Sequence, residues 1–257
     1  MARLDETKIS RAILDGYHAK LAKAIESDVV IVGAGPAGLT AAMLLACDGA
    51  NVTILEKRLA PGGGIWGGGM GMNEVVVQEE ALPIVDEVGV RHRPVEGPLH
   101  ALDAVDLAAS LCVKAMHAGA TVLNLITAED VCVHDGRVTG VVANRTMISG
   151  QLHVDPIVFA AKATLDGTGH DAFLVECVRR RGLLEGTSAV GHYGEGPMDA
   201  TNAEDFVVKH VAEVYPGLWV AGMSVSATYG GPRMGPIFGG MLLSGQRAAE
   251  GIMRALK

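Results

Sequence analysis

The chain has 257 residues, with 29 Asp or Glu against 21 Lys or Arg and a net charge of −8 when histidines are neutral. This charge excludes a nucleic-acid binder whose affinity comes from a basic surface. Apolar residues make up 49% and charged residues 19%, which excludes intrinsic disorder. We expect one continuous globular domain over residues 1–257.

The first 27 residues alternate charged and apolar side chains, and no run of 18 apolar residues occurs anywhere. We therefore expect no signal peptide, no membrane contact and a cytoplasmic location. Cys47, Cys112, Cys132 and Cys177 form no CxxC pair. The cysteine spacing thus predicts neither a zinc finger nor a disulfide framework.

The N-terminal third predicts a helix followed by a βαβ unit. Apolar residues recur every three to four positions over about residues 3–26, which predicts an amphipathic helix and a candidate packing surface. A buried parallel strand at Asp28–Val32, a helix reaching Cys47 and a strand at Asn51–Leu55 follow. Together they make a nucleotide-binding unit over about residues 28–60.

The first turn of this unit carries a GxGxxG fingerprint, in which Ala37 precedes the third glycine and Glu56 lies 18 residues beyond it. Such glycines let the backbone close on a pyrophosphate at a helix N-terminus, and the acid accepts from a ribose hydroxyl. The pattern predicts dinucleotide binding. Its fingerprint glycines are Gly33, Gly35 and Gly38.

The glycine-rich segment Pro61–Asn73 contains seven glycines and predicts no regular structure. It is either a flexible surface loop or a backbone-lined wall beside a cofactor. The later predictions are helices at Asp103–His117, Asp171–Arg181 and Gly240–Leu256, strands at Thr121–Ile126, Val158–Leu165 and Leu218–Ala221, and a hairpin over Val131–Val142 turning at Asp135-Gly136.

This order of elements predicts the fold class. It is an α/β, Rossmann-like dinucleotide-binding fold of the two-dinucleotide-binding-domain flavoprotein type, with an inserted mixed α/β region.

Two histidines and an aspartate are candidate metal ligands. In an extended strand over Leu152–Pro156, His153 and Asp155 would share a face, and His170 follows the turn Gly167-Thr168-Gly169. Imidazole and carboxylate suit a divalent first-row metal. Spacing alone equally permits hydrogen-bonded structural residues.

Arg233 is the one charge in a Gly- and Pro-rich segment before the last helix. Its guanidinium could bind a carboxylate or phosphate in bidentate fashion, or it could face solvent at a helix start. A helix N-terminus disfavours a cation, which favours the functional interpretation.

Six segments, in this order, resemble the archaeal and bacterial thiamine thiazole synthases over nearly the whole chain. They are GAGPAG, LEK, PGGGIWGGGM, HVDP, DGTGHDA and GPRMGPIFGGM. The resemblance implies the formation of ADP-5-ethyl-4-methylthiazole-2-carboxylate from NAD, glycine and sulfide. NAD is then a consumed substrate: nicotinamide leaves, the ADP-ribose isomerises to a ketone, glycine condenses as an imine, sulfur enters and the ring closes with loss of water.

The resemblance also implies the sulfur source. Fungal and plant relatives carry a cysteine at the position of His153 and give up its sulfur once. A histidine has no sulfur to give, so this chain resembles the branch that uses free sulfide at an Fe(II) site over many turnovers. Homo-octamers with sites between subunits are implied as well.

Carried over by the resemblance, Asp155 and His170 are the iron ligands, with His170 beside a neighbouring subunit's site. Arg233, Met234 and Gly235 match the holder of the glycine carboxylate. The positions lining the nucleotide-derived intermediate are Ala37, Glu56, Lys57, Gly64, Ala128, His153, Val154, Asp155 and Met223. Our own hypothesis adds His153 as an acid/base in the tautomerisations.

Two other functions remain open from the residues. GxGxxG with a late Gly-rich strand-to-helix turn also describes an FAD-dependent oxidoreductase, which would purify yellow. The second is a non-catalytic nucleotide-binding subunit or a relative that acts only on a sugar phosphate. The presence of Asp155 and His170 disfavours this second function.

Overall fold

The computed structural model describes residues 4–184 and 194–257. The strands are β1 (Glu26–Val32), β2 (Val52–Glu56), β3 (Glu74–Gln78), β4 (His92–Pro94), β5 (Leu99–Asp103), β6 (Thr121–Asn124), β7 (Ile126–His134), β8 (Arg137–Arg145), β9 (Ile157–Asp166), β10 (Gly196–Met198), β11 (Glu213–Tyr215), β12 (Leu218–Val220) and β13 (Pro232–Arg233). The helices are α1 (Glu6–Ala24), α2 (Pro36–Cys47), α3 (Leu82–Glu87), α4 (Ala104–His117), α5 (Phe173–Arg180), α6 (Ala200–Lys209), α7 (Met223–Tyr229) and α8 (Gly239–Leu256).

The main sheet is mixed and has the order β11-β12-β9-β1-β2-β6. Its pairs are parallel from β12 to β6, whereas β11 is antiparallel to β12. The hairpin β7–β8 joins this sheet because β8 pairs antiparallel with the first half of β9. The chain is therefore an α/β protein, and the predicted βαβ unit is confirmed as β1–α2–β2.

Two hydrophobic cores lie on opposite faces of the sheet because successive strand residues point to opposite sides. In β1, Val29 and Ile31 enter the core formed with α2, α4 and α8, whereas Val30 and Val32 enter the core formed with α5 and α7. Helices α2 and α8 pack closely against each other. A Cβ added at Gly245 of α8 would overlap the carbonyl oxygen of Ala37.

Several predicted elements are confirmed and two boundaries are wrong. The hairpin turns at Asp135-Gly136, and the helices near residues 103–117 and 240–256 are present. The strand predicted at Thr121–Ile126 is broken at Leu125, whose φ is +58°. The N-terminal helix ends at Ala24 because β1 already begins at Glu26, and its predicted first residue, 3, lies outside the described residues.

The extended strand predicted over Leu152–Pro156 is also wrong. Residues 151–152 form a turn, 153–156 are irregular, and β9 begins at Ile157. Pro156 has no N–H to donate, and the ladder with β8 reaches only as far as the pair Ile157 and Ala143. A common orientation of His153 and Asp155 therefore does not follow from strand geometry.

The sequence analysis missed two small sheets. An antiparallel sheet of order β3-β5-β4 lies beside the main sheet, and a parallel pair joins β10 to β13. An isolated bridge between Val76 and Ile237 ties β3 to the segment before α8. These contacts fix the course of the chain around Arg233.

Helix α1 projects from the body of the molecule. Ile9, Ile13 and Leu14 are exposed, and only Ala24 of this helix is buried. Within the part of the chain that the structure describes, no helix has the length and apolar character needed to cross a bilayer.

Glu204 links α6 to the start of α8 through a hydrogen bond. Its Oε2 accepts the N–H of Gly240 at 2.7 Å, and its Oε1 is buried with no hydrogen-bond partner in the described residues. Burial, with a smaller contribution from the charge of Glu80, raises the pKa of Glu204 from 4.5 to about 7.

We expect Glu204→Gln to stabilise the protein at pH 8 by up to about 3 kcal/mol. In the parent, the folded state keeps a proton that the unfolded state releases above pH 4.5. The free energy of unfolding therefore falls as pH rises from about 4.5 to 7 and stays low above that window. Glutamine cannot ionise, so the free energy of unfolding of the variant should not show this decrease.

Thermal unfolding midpoints at pH 5 and pH 8 measure the effect. Asp205→Asn is the matched control, because Asp205 is the next residue on α6 and forms an exposed ion pair with Lys209 at 2.6 Å. Parallel pH curves for the parent and Glu204→Gln would contradict the prediction.

Candidate active site

A cavity of about 820 Å³ opens at the carboxyl edge of the main sheet. Four strands, β1, β2, β9 and β12, deliver the residues that follow them to its wall, and the start of β7 adds Ile126–Ala128. Ligand sites of open α/β sheets lie at this edge, where strand order changes direction. The volume lies within the range of small-molecule and cofactor pockets.

The three fingerprint glycines differ in what surrounds them. Gly33 has φ +101°, a conformation that favours glycine, and a Cβ there would overlap Gly167. A Cβ at Gly38 would overlap the carbonyl oxygen of Gly33, so Gly38 brings α2 close to β1. A Cβ at Gly35 would meet nothing within 4 Å and would enter open space.

Glu56 is buried at the end of β2 and lines the cavity. Its Oε2 accepts the N–H of Ala34 at 2.8 Å, and its Oε1 accepts the N–H of Arg58 at 2.7 Å. Each carboxylate oxygen has a second lone pair. Glu56 thus holds the fingerprint turn and keeps acceptor capacity for a hydroxyl.

The glycine-rich segment is a wall of the cavity, as one of its two interpretations predicted. Gly63, Gly64, Gly69 and Met70 line the cavity, and the N–H of Gly62 donates to Ala34 O at 2.7 Å. A short 3-10 turn at Ile65–Gly67 buries Ile65. The segment is therefore tied to the fingerprint turn rather than free at the surface.

A second group of lining residues carries charged and titratable side chains. His170, Lys57, Asp171 and Arg233 all line it. Lys57 Nζ lies 3.2 Å from Asp171 Oδ2. His170 Nδ1 lies 2.5 Å from Glu195 Oε1, and Arg233 Nε lies 3.3 Å from Glu195 Oε2. One carboxylate therefore bridges the predicted imidazole and the predicted guanidinium.

A fully buried carboxylate, Asp166, holds the turn that presents His170. Its Oδ1 accepts from the N–H of Thr168 at 3.0 Å and from the Thr168 hydroxyl at 2.7 Å, and Ser224 Oγ lies 3.1 Å away. Its Oδ2 accepts the N–H groups of Leu174 and Val175, which start α5. Asp166 thus joins the end of β9 to α5.

The structure brings most of the predicted site residues together. Those lining the cavity are Gly33, Gly35, Ala37, Glu56, Lys57, Gly64, Ala128, His170, Met223, Arg233 and Gly235. Gly38 and Met234 are buried in neighbouring packing and do not line it. Arg233 lies in β13, six residues before α8 begins at Gly239. The alternative that placed Arg233 at a helix start is therefore wrong.

His153, Val154 and Asp155 lie elsewhere. All three are exposed in the irregular segment before β9, and none lines the cavity. No group of three or more His, Cys, Asp or Glu side chains able to hold a metal occurs within residues 4–184 and 194–257. A single copy of the chain therefore brings His170, without Asp155, to the cavity.

The cysteines do not take part in the cavity wall formed by the described residues. Burial raises the pKa of the Cys112, Cys132 and Cys177 thiols. A raised pKa lowers the thiolate fraction, so these three are not activated nucleophiles.

A model of the Thi4 family matches residues 10–238. The chain belongs to the Thi4 family. It is 49% identical over 253 residues to a thiamine thiazole synthase of Thermococcus kodakarensis, covering 98% of each chain. A thiamine thiazole synthase of Thermotoga maritima is 49% identical over 251 residues, 97% of each chain. The crystal structure of Thermovibrio ammonificans THI4 matches with a TM-score of 0.93, 44% identity and 99% coverage of both chains.

These homologues support a role for this Thi4 protein in the biosynthesis of the thiazole part of thiamine. The sequence did not predict three residues at this site. Glu195 and Asp166 position lining residues, and Arg58 lines the cavity itself. Asp166 had a signal, because it ends a buried strand immediately before a glycine turn. Glu195 had none, because it lies in an irregular stretch remote in sequence from both of its partners.

Proposed function

We propose that this protein is a thiazole-forming enzyme that makes an ADP-linked thiazole carboxylate from NAD, glycine and free sulfide. NAD is consumed, Fe(II) is required and each polypeptide turns over many times. One observation carries the proposal: a single cavity joins a dinucleotide-type glycine turn to an imidazole and a guanidinium, with no cysteine among its described lining residues.

NAD binds with its pyrophosphate at the N-terminus of α2. The free N–H groups there attract an anion, and the open space at Gly35 lets the phosphates approach the backbone. Glu56 uses its remaining lone pairs to accept from a ribose hydroxyl. We also propose that the α/β fold is of the two-dinucleotide-binding-domain flavoprotein type.

Glycine binds in the same cavity through Arg233. The Arg233 side chain lines the cavity, is 55% exposed and forms an ion pair with Glu195 through Nε, so we assign its two terminal NH2 groups to a carboxylate. Bidentate binding of this kind fixes both position and orientation. The glycine amine then faces the sugar-derived part of the nucleotide.

His170 and Asp155 are the proposed ligands of Fe(II), supplied by different copies of the chain. The His170 Nδ1 is engaged by Glu195, so its Nε2 stays open to the cavity. Asp155 is exposed and makes no hydrogen bond or ion pair with the described residues. Imidazole nitrogen and carboxylate oxygen fit a first-row divalent metal. Bound there, Fe(II) would act as a Lewis acid that holds sulfide.

The proposed assembly is a homo-octamer with its sites between subunits. Two exposed features support contacts between copies: the apolar side of α1 and the segment around His153 and Asp155. In such an assembly His153, Val154 and Asp155 of one copy would reach a neighbour's cavity. His153 would then be placed to move protons during the tautomerisations.

The test is anaerobic incubation of the purified protein with NAD, glycine, sulfide and Fe(II), followed by mass spectrometry of products and polypeptide. We expect an ADP-thiazole carboxylate in molar excess over protein, unchanged polypeptide mass, and no product when any component is omitted. A polypeptide lighter by one sulfur atom, or product without metal, would overturn the proposal. A protein that purifies yellow with bound flavin would favour the oxidoreductase alternative.

We expect Gly35→Ala to keep the fold and lower the affinity for NAD and ADP at least about tenfold. The added methyl group would meet no protein atom within 4 Å and would fill the space proposed for the pyrophosphate. Calorimetric titration with ADP measures affinity, and thermal unfolding checks the fold. Parent-like ADP affinity would show that the pyrophosphate does not approach Gly35.

A further inference from the structure

Glu195 is the only carboxylate among the described residues that contacts both His170 and Arg233. Its side chain is 11% exposed, compared with 60% for His170 and 55% for Arg233. The Glu195 carboxylate is thus much less exposed than the His170 and Arg233 side chains that it contacts. Its backbone position is fixed because Gly196, the next residue, donates to Gly231 O at 2.8 Å, and Asp199 donates to Arg233 O at 3.0 Å.

The contact with His170 determines which ring nitrogen is available. An ionised carboxylate only accepts hydrogen bonds, so the proton in the 2.5 Å contact with Glu195 Oε1 belongs to Nδ1. A neutral imidazole protonated on Nδ1 has its lone pair on Nε2. In protein metal sites, a carboxylate behind a histidine fixes its tautomer and ring orientation in this way.

The contact with Arg233 determines which part of the guanidinium is available. Glu195 Oε2 lies 3.3 Å from Nε, at the inner edge of the group. The two outer NH2 groups of a guanidinium match the two oxygens of a second carboxylate. The same side chain therefore orients both groups toward the cavity.

We propose that Glu195 is a positioning residue that sets His170 Nε2 as a metal ligand and, at the same time, aims the outer edge of Arg233 at the substrate carboxylate. The inference rests on the proposed function, because it assigns His170 to the metal and Arg233 to glycine. Glu195 itself touches neither ligand. It couples the two binding events because its two oxygens serve one partner each.

Glu195→Gln is the sharpest variant. The amide has the same shape, but only one of its two outer atoms is an acceptor. Glutamine also carries no charge, so it can keep the hydrogen bond with His170 only by losing the ion pair with Arg233. Glu250→Gln is the matched control, because Glu250 pairs with Arg247 at 3.5 Å on α8 and does not line the cavity.

The experiment compares the parent, Glu195→Gln, Glu250→Gln and His170→Ala as full-length proteins. Binding of Co(II) alone to metal-free protein is followed by visible absorption, and KM is measured for glycine and for NAD. We expect Glu195→Gln to weaken Co(II) binding about 10- to 100-fold and to raise the KM for glycine about tenfold or more, with the KM for NAD unchanged. Thermal unfolding should stay close to that of the parent.

Parent-like Co(II) affinity and glycine KM in Glu195→Gln would overturn the inference, as would equal changes for glycine and NAD. If the parent forms no thiazole, the proposed function fails, but the Co(II) comparison still decides the role of Glu195. Co(II) binding that is unaffected by His170→Ala would overturn the metal assignment and this inference together.

Discussion

Asp166→Ala is expected to destabilise the protein by about 4–6 kcal/mol and to lower its unfolding midpoint by more than about 10 °C. The carboxylate is fully buried and accepts from two backbone N–H groups at the start of α5 and from Thr168. Alanine would leave these donors buried and unpaired, at about 1–3 kcal/mol each. The turn also holds Ala172 at φ +37°, a strained conformation that its hydrogen bonds maintain.

Asp199→Ala is the matched control. Asp199 also precedes a helix and accepts from the N–H of Asn202 at 3.2 Å, but it is exposed. Loss of such a cap costs about 1 kcal/mol. Thermal or urea unfolding measures both variants, and equal losses would show that burial of Asp166 does not set its contribution. His170 lies in the affected turn, so Co(II) binding should fall only in Asp166→Ala.

Gly38→Ala is the second large effect, with an expected loss of about 2–4 kcal/mol. A Cβ at this position would overlap the carbonyl oxygen of Gly33 and lie 3.3 Å from Cγ2 of Ile31. Both neighbours belong to the β1 strand and its turn, which cannot yield as a flexible side chain would. The helix α2 must therefore move away from the sheet, and the part of the cavity wall formed by Gly33–Ala37 changes shape.

Gly16→Ala is the control, because its expected effect on stability has the opposite sign. Gly16 lies inside α1, and a Cβ there would meet nothing within 4 Å. Alanine favours a helix over glycine by about 1 kcal/mol, so this variant should be neutral or more stable. Circular dichroism during heating compares the two alanine variants. A Gly38→Ala protein as stable as the parent would rule out close backbone packing at this glycine.

The fingerprint half of the site could be predicted from the sequence because its determinants are local. Gly33, Gly35 and Glu56 lie within one βαβ unit, where strand and helix patterns are strong and the spacing itself carries geometry. The glycine-rich segment and the hairpin at Asp135-Gly136 are local in the same sense. Their placement therefore needed no knowledge of distant contacts.

The charged half could not be predicted in the same way. His170, Glu195 and Arg233 come from three separated segments, and their contact depends on the short pair β10–β13. Two- and three-residue strands leave almost no pattern in a sequence. The strand predicted around His153 and Asp155 was wrong for a related reason: the sequence alternates as a strand would, but no neighbouring strand pairs with this segment.

The close packing of α8 on α2 also constrains how the chain reaches its final form. Helix α2 begins at Pro36, yet the glycine that lets the last helix lie against it is Gly245. During synthesis on the ribosome, the face of α2 that contacts α8 therefore stays uncovered until more than 200 further residues have emerged. Contacts of such sequence separation form slowly, so maturation of the cavity depends on completion of translation.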